Sequence, residues 1–364
     1  HGYSLEDARN YTVAACWEFI IPGKGMDVPN INALSFPAAA DKAIRDGLKD
    51  GLGFDKIMEL TSKNIADQVN MYVDDKKKMI NWPPSPYYSC FMTDCLEKGK
   101  DVNLGGATYY NYGIHGSGSS NAADALAAVK QLVFEKKQVS SERFLAALQT
   151  DFADEPSLRD TLLIECPKVG NNDDYVDSIL TQLFEYFADA CESIKDNGRG
   201  GIVRPGTGSA MYYVWLTSLR DVDILEPAVA ATADGRYAKD FLSCSLAPAS
   251  GVPINGPLSV LQSFSKINFN RICNGGPITM ELSDTVFRSE DALTKVAMLV
   301  QAFVNLGCHQ MQLNTLNPET LLDAREHPEK HRNLIVRVWG WSGYFCELAP
   351  EYQNHIINRH IYTA

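Results

Sequence analysis

The sequence predicts an α/β fold with parallel strands, and three observations predict it. Long segments of the 364-residue chain carry helical periodicity, short apolar runs of strand type follow them, and helix and strand alternate toward the C-terminus. In such folds the chemistry sits at the carboxyl ends of the strands, and the run "RVWGWSGYF" (337–345) is expected at such an end.

Taken in order, Ser4 is a candidate N-cap for a helix in "LEDARNYTV". "SSNAADALAAVKQLVFEKK" is Ala- and Leu-rich after a Ser/Asn cap. In "DDYVDSILTQLFEYFADACESIKDNG" Val176, Ile179, Leu180, Leu183, Phe184 and Phe187 fall on one helical stripe, with Gly198 expected as the C′ residue. "EDALTKVAMLVQAFVNLG" ends on Gly307, and the strand-like "CHQMQLNTL" follows. A short helix in "PETLLDAREHPEKH" leads to "LIVRV", read as another buried strand. The patches "LGGATYYNYGIHGSGSS" and "NGRGGIVRPGTGS" read as loops, and no internal repeat or interdomain linker stands out.

Composition narrows the function classes. Thirty-three Lys and Arg against 45 Asp and Glu give a net charge of -12, which repels nucleic acid and anionic membrane. No window reaches eighteen uncharged apolar residues and the opening "HGYSLEDARN" has no signal-peptide character, so a cytoplasmic protein is expected. Nine cysteines without CxxC spacing argue for free thiols rather than a zinc ribbon, a cluster or a disulfide framework. The chain opens on His1 without a methionine, as a piece of a longer protein would.

Several patterns invite chemistry and are better read without it. "GIHGSGSSNAAD" lacks both the GK[ST] ending of a P-loop and GxGxxG spacing, so a tight turn before a helix N-terminus is expected. His327 and His331 fall on a charged helix end, while His115 and His309 read as satisfied core hydrogen bonders; no metal site is expected. "AACWEFIIPG" differs. Cys16 and Glu18 are spaced i, i+2, which in extended backbone turns a thiol and a carboxylate to one side.

Together these segments resemble the C-terminal half of a glycyl radical enzyme, the family of pyruvate formate-lyase. "RVWGWSGYF" is similar to the family's RVxGYSAxF-type radical loop, with Trp341 where Tyr or Phe is more usual. "GGATYYNYGIHGSGSSNAADALAA", "CPKVGNNDDYVD", "TADGR", "GPLSVLQSFSK" and "GCHQMQLNTLNPETLLDAREHPEKH" resemble further family segments, in the expected order. The resemblance implies part of a ten-stranded α/β barrel in which a Cys loop and a Gly loop meet in the core. It implies a barrel part over 1–310 with the thiyl cysteine, and a glycine radical domain over 311–364. Gly340 would store the radical, flanked by tryptophans that shield it, and pass it to Cys16; glycine suits because a Cβ opposes flattening at the radical carbon. An S-adenosylmethionine-dependent activating enzyme would remove the hydrogen from Gly340 after the loop swings out. Family members are commonly dimers or larger.

Within the family, Ala15 stands where pyruvate formate-lyase has a second cysteine. Glu18 points away from the alkylsuccinate-forming synthases. Diol dehydratases carry an Asp about fourteen residues after the thiyl cysteine, and Asn30 occupies that position here. Choline lyases read CVEP rather than "CWEF". The expectation is radical decarboxylation of an arylacetate, of the kind that turns 4-hydroxyphenylacetate into 4-methylphenol and carbon dioxide. Cys16, Glu18 and Gly340 would be catalytic, with Trp17, Phe19 and Asn30 at the substrate. Hydroxyphenylacetate members of that branch carry a small iron–sulfur subunit. The alternatives are a carbon–oxygen or carbon–nitrogen lyase acting on a diol, hydroxyproline or choline-like substrate, and a radical-spare fragment that complements a damaged enzyme.

Overall fold

The computed structural model describes residues 2–14, 18–25, 27–78, 83–207, 229–238, 240–338 and 340–362. Strands β1 (Thr12–Ala14) and β2 (Glu18–Ile20) form an antiparallel hairpin. Strands β3 (Val28–Ser35), β4 (Tyr112–Ser117) and β5 (Val203–Gly206) form a parallel sheet in that order. In the second half β6 (Pro277–Ser283) pairs in parallel with β7 (Gln310–Leu316), β8 (Ile335–Arg337) pairs antiparallel with β9 (Ser342–Tyr344), and β10 (Ile361–Tyr362) joins the free side of β6. Main-chain bonding carries from one parallel sheet toward the other. Asn274 N–H donates to Pro205 O and Thr207 N–H to Gly275 O, each at 2.9 Å, just upstream of β6.

The helices Phe36–Lys49, Phe54–Lys78, Ser119–Val129 and Asp174–Ser193 cover one face of the first sheet. Leu34, Ile114 and Val203 belong to the core they bury, and the Phe36 ring meets Phe184 and Phe187 edge-on at 5.1 and 5.7 Å. Burial of each such ring stabilises by roughly 1.5–3 kcal/mol. Alternation along the strands sends Ala33, His115 and Gly206, register partners of one another, to the opposite face.

The periodic helices form where the sequence places them. The stripe in 174–193 is buried as expected, and the helix Glu290–Asn305 is capped by Ser289 and followed by Gly307 in a left-handed conformation at φ 68°. Five expectations are corrected. The first helix spans only Leu5–Arg9, capped by Ser4, and "TVA" is strand β1. The helix expected to close on Gly198 ends at Ser193, and Gly118 rather than a Ser or Asn side chain caps Ser119–Val129. "LIVRV" does not join the parallel sheet: β8 folds back on β9, so "RVWGWSGYF" makes a hairpin rather than the end of a parallel strand. The glycine-rich patches supply β4 and β5, the middle and one edge of the first sheet, instead of loops.

The reason is a close approach. A Cβ built on Gly206 would lie 2.0 Å from Asn274 O, so only glycine lets that main chain lie against β5. Among the described residues no helix is long and apolar enough to cross a membrane, and the described cysteines are free thiols.

Candidate active site

The register of the first hairpin pairs Ala14 with Glu18 and Val13 with Phe19, which leaves Cys16 as the middle of three connecting residues. Cys16 and Trp17 lie outside the described residues, and so does the Glu18 side chain, whereas its main chain opens β2. Phe19 is half-buried, stacked on Tyr11 at 5.1 Å and edge-on to Tyr3 at 5.1 Å; Tyr3 in turn meets Tyr109 at 4.7 Å. This aromatic cluster stands at the foot of the hairpin.

Beneath it a polar network closes around both ends of the segment. Tyr3 OH donates to Asp27 Oδ2 at 2.7 Å and accepts from Asn111 Nδ2 at 2.7 Å and Arg204 Nη1 at 2.8 Å. Asp27 Oδ1 accepts the Asn111 N–H at 2.7 Å. Burial pushes the Tyr3 phenol well up, so it remains a neutral donor. Asp7 accepts from Lys24 Nζ at 2.6 Å and Tyr109 OH at 2.5 Å, and these bonds, Lys24's first, hold its carboxyl down to about 2. Tyr3 and Asp7 precede the hairpin while Lys24 and Asp27 follow it, so two sets of bonds clamp its base. Asn30 lies half-buried two residues into β3, next to Pro29, whose carbonyl accepts Asn274 Nδ2 at 2.6 Å.

The second candidate loop is the β8–β9 turn. Val338 N–H donates to Trp341 O at 2.9 Å, and Gly340 adopts φ 67°, the left-handed region that glycine enters at least cost. Trp339 lies outside the described residues. Trp341, expected to shield the glycine, is 38% exposed in this half-length chain and rests edge-on against Tyr352 at 6.3 Å. From the C-terminal segment, Arg359 reaches the carbonyls of Arg337 and Val338, which lead into this turn.

The histidines behave unevenly. His331 Nε2 lies 2.6 Å from Asp323 Oδ2, a local pair rather than a solvated end, and His327 is exposed. His309 tilts against Phe269 at 5.5 Å. His115 is fully enclosed, and burial lowers its pKa to about 3 against a bond with the Asn274 main chain, a core position as expected. No group of three His, Cys, Asp or Glu converges among the described residues. Sequence reasoning missed Asp27, Arg204, Glu281 and Arg359, because each pairs across a long stretch of chain and none sits in a motif.

The chain matches the pyruvate formate lyase-like model over residues 1–217 and the glycine radical model over 242–346. It belongs to the pyruvate formate lyase-like family of glycyl radical enzymes. The second match contains Gly340, so the chain carries the domain whose cofactor is a post-translational radical on a main-chain glycine. It is 28% identical over 378 residues to trans-4-hydroxy-L-proline dehydratase of Clostridioides difficile, covering 98% of this chain and 46% of that protein. It is 34% identical to probable dehydratase YbiW of Escherichia coli, covering 98% and 47%, and 25% identical to indoleacetate decarboxylase of Tractidigestivibacter scatoligenes, covering 100% and 45%. The glycerol-bound B12-independent glycerol dehydratase of Clostridium butyricum superposes with a TM-score of 0.91 at 26% identity, over 100% of this chain and 47% of that one. The two parallel sheets are thus part of a glycyl radical enzyme barrel, and the chain spans about half the length of the relatives it matches.

Proposed function

We propose that Gly340 stores the radical, that Cys16 carries it to substrate as a thiyl, and that the enzyme is an arylacetate decarboxylase acting on a 4-hydroxyphenylacetate-type acid. The observation that supports this most is the placement of Glu18. It opens β2 as the register partner of Ala14, directly after the connection that carries Cys16, on a hairpin clamped at its base. A carboxyl group there manages a proton beside the thiol. The Cys16 hydrogen atom moves to the Gly340 radical, and the thiyl takes one electron from the substrate carboxylate. The bond to the carboxyl carbon breaks, carbon dioxide leaves, and Glu18 returns a proton to the thiolate. The benzylic radical then takes the hydrogen atom from Cys16, which regenerates the thiyl; the net change is arylacetate plus a proton to methylarene plus carbon dioxide.

Trp17 and Phe19 form the apolar wall for the ring, with Phe19 backed by Tyr3 and Tyr11, and Asn30 offers a polar contact. Residues 1–310 act as the barrel part and 311–364 as the glycine radical part of a cytoplasmic enzyme. Its partners are an S-adenosylmethionine-dependent activating enzyme, a second copy of itself and a small iron–sulfur subunit. The test uses the full-length enzyme, activated without oxygen and shown by electron paramagnetic resonance to carry a glycyl doublet. Formation of 4-methylphenol and carbon dioxide from 4-hydroxyphenylacetate, dependent on Cys16 and Glu18, is the expected result. A clean doublet without product from this or the phenyl and indole analogues sinks the decarboxylase.

The dehydratases among the relatives favour a second reading, carbon–oxygen bond cleavage in a diol or a hydroxyproline. Turnover of such a compound with retention of its carbon count would establish it.

A further inference from the structure

We infer that Arg359 is a latch that holds the glycine loop closed against the barrel wall, and that its release sets how readily the loop leaves. The inference rests on the reading of Gly340 as the radical site. Arg359 lies between the helix Pro350–Ile357 and strand β10, and β10 is fixed to the wall, pairing Ile361 with Glu281 of β6. Its guanidinium divides its donors between two bodies. Nη1 donates to Glu281 Oε1 at 2.8 Å and to Arg337 O at 3.0 Å, while Nη2 donates to Val338 O at 2.7 Å. Glu281 is itself fixed, since its Oε1 accepts Asn314 Nδ2 from β7 at 3.0 Å. The pair is enclosed, with side-chain exposures of 5% and 3%.

The two carbonyls belong to residues 337 and 338, immediately before the turn that carries Gly340. The contact is therefore made to the position of the loop's main chain. When the turn swings out, the ion pair with Glu281 can stay intact while both charge-assisted bonds to the carbonyls break. Each bond to a charged donor resists opening by about tenfold. A planar fork serves this geometry and a single ammonium does not, because three acceptors on two segments must be met at once. Arg359 is thus a positioning residue for Gly340, acting on activation and on protection of the radical rather than on substrate.

The test uses the full-length enzyme in two states. In the unactivated protein, Arg359→Met is expected to speed amide hydrogen exchange across residues 339–345 by about tenfold or more while the amides of β6 and β7 keep the parent's protection. In the activated protein, the same variant is expected to gain the glycyl doublet faster from the activating enzyme and to lose it faster in air-saturated buffer. Arg359→Lys should fall between the two. Should Arg359→Met fold poorly, Glu281→Gln, which preserves shape but leaves the guanidinium only a neutral amide oxygen as its anchor, is expected to shift exchange in the same direction. Parent-like exchange over 339–345 in a folded variant overturns the latch. A parent enzyme that never shows a doublet overturns the radical reading instead, and the exchange measurement still decides the latch.

Discussion

Arg204 Nη2 lies 3.0 Å from Asp27 Oδ2, and both side chains are shut away from solvent, at 1% and 0% exposure. One partner ends the segment that carries the Cys16 hairpin and the other sits on β5, so this pair ties the candidate thiyl loop to the barrel wall. A buried pair is weak evidence for added stability, but removing one partner leaves the other charged in a dry site. Asp27→Ala is therefore expected to cost about 3–5 kcal/mol in a urea titration. Asp27→Asn should cost less, because its amide oxygen still accepts the Asn111 N–H, although the oxygen that takes the Tyr3 hydroxyl is lost. A loss below about 1 kcal/mol for Asp27→Ala would show that the network does not fix the loop.

The second clamp responds to acid. Hydrogen bonds from Lys24 and Tyr109 lower the Asp7 carboxyl from 3.8 to about 2. A depressed carboxylate contributes stability that is present above its unfolded pKa and is lost as pH falls through the folded one. Between about pH 4 and pH 2 the contribution declines, and residues 2–11 are expected to gain amide exchange and protease sensitivity over that window. In Asp7→Asn that acid-induced increment should be absent, with the segment already loosened at pH 5. Equal pH dependence in parent and variant would assign the acid response to other carboxylates.

Part of this arrangement was legible in the sequence and part was not, for physical reasons. The helices 174–193 and 290–305 follow from a one-dimensional signal, the return of apolar residues every three or four positions. Strands β4 and β5 carry no such signal. Their glycines answer to close neighbours, Gly116 to the Phe36 ring and Gly206 to the Asn274 main chain, and Gly206 reads as loop until Asn274 is seen lying against it. The Cys-x-Glu and Gly340 stretches could be singled out because their chemistry is compressed into a few residues. The clamp and the latch could not, since Asp27 with Arg204 and Glu281 with Arg359 are joined only by folding.

The wall glycine makes its own prediction. Gly206→Ala places a methyl 2.0 Å from Asn274 O, and main chain on both sides leaves no flexible side chain to yield. A cost of about 1–3 kcal/mol is expected from forced displacement, read as a lowered Tm. The same change at Gly200, where a Cβ meets nothing within 4 Å, should show only the strain of its φ of 83°. Equal losses at the two positions would mean that the approach of residue 274 to β5 is not a constraint.

Three substitutions at the proposed site separate storage, transfer and proton management. Gly340→Ala must adopt φ near 67° with a Cβ, at about 1–2 kcal/mol, so a folded protein without any glycyl doublet is expected. Cys16→Ser should keep the doublet and lose turnover, because an alcohol cannot relay the hydrogen atom as a thiol does. Glu18→Gln should also keep the doublet. Its turnover is expected to fall by about 10²–10⁴, the usual contribution of a positioned acid or base, with the pH profile flattened. The decisive comparison is the doublet per chain against the product per doublet in the same sample. If Glu18→Gln lowers the doublet per chain while the product per doublet stays at the parent's value, Glu18 supports radical storage and has no role at the thiol.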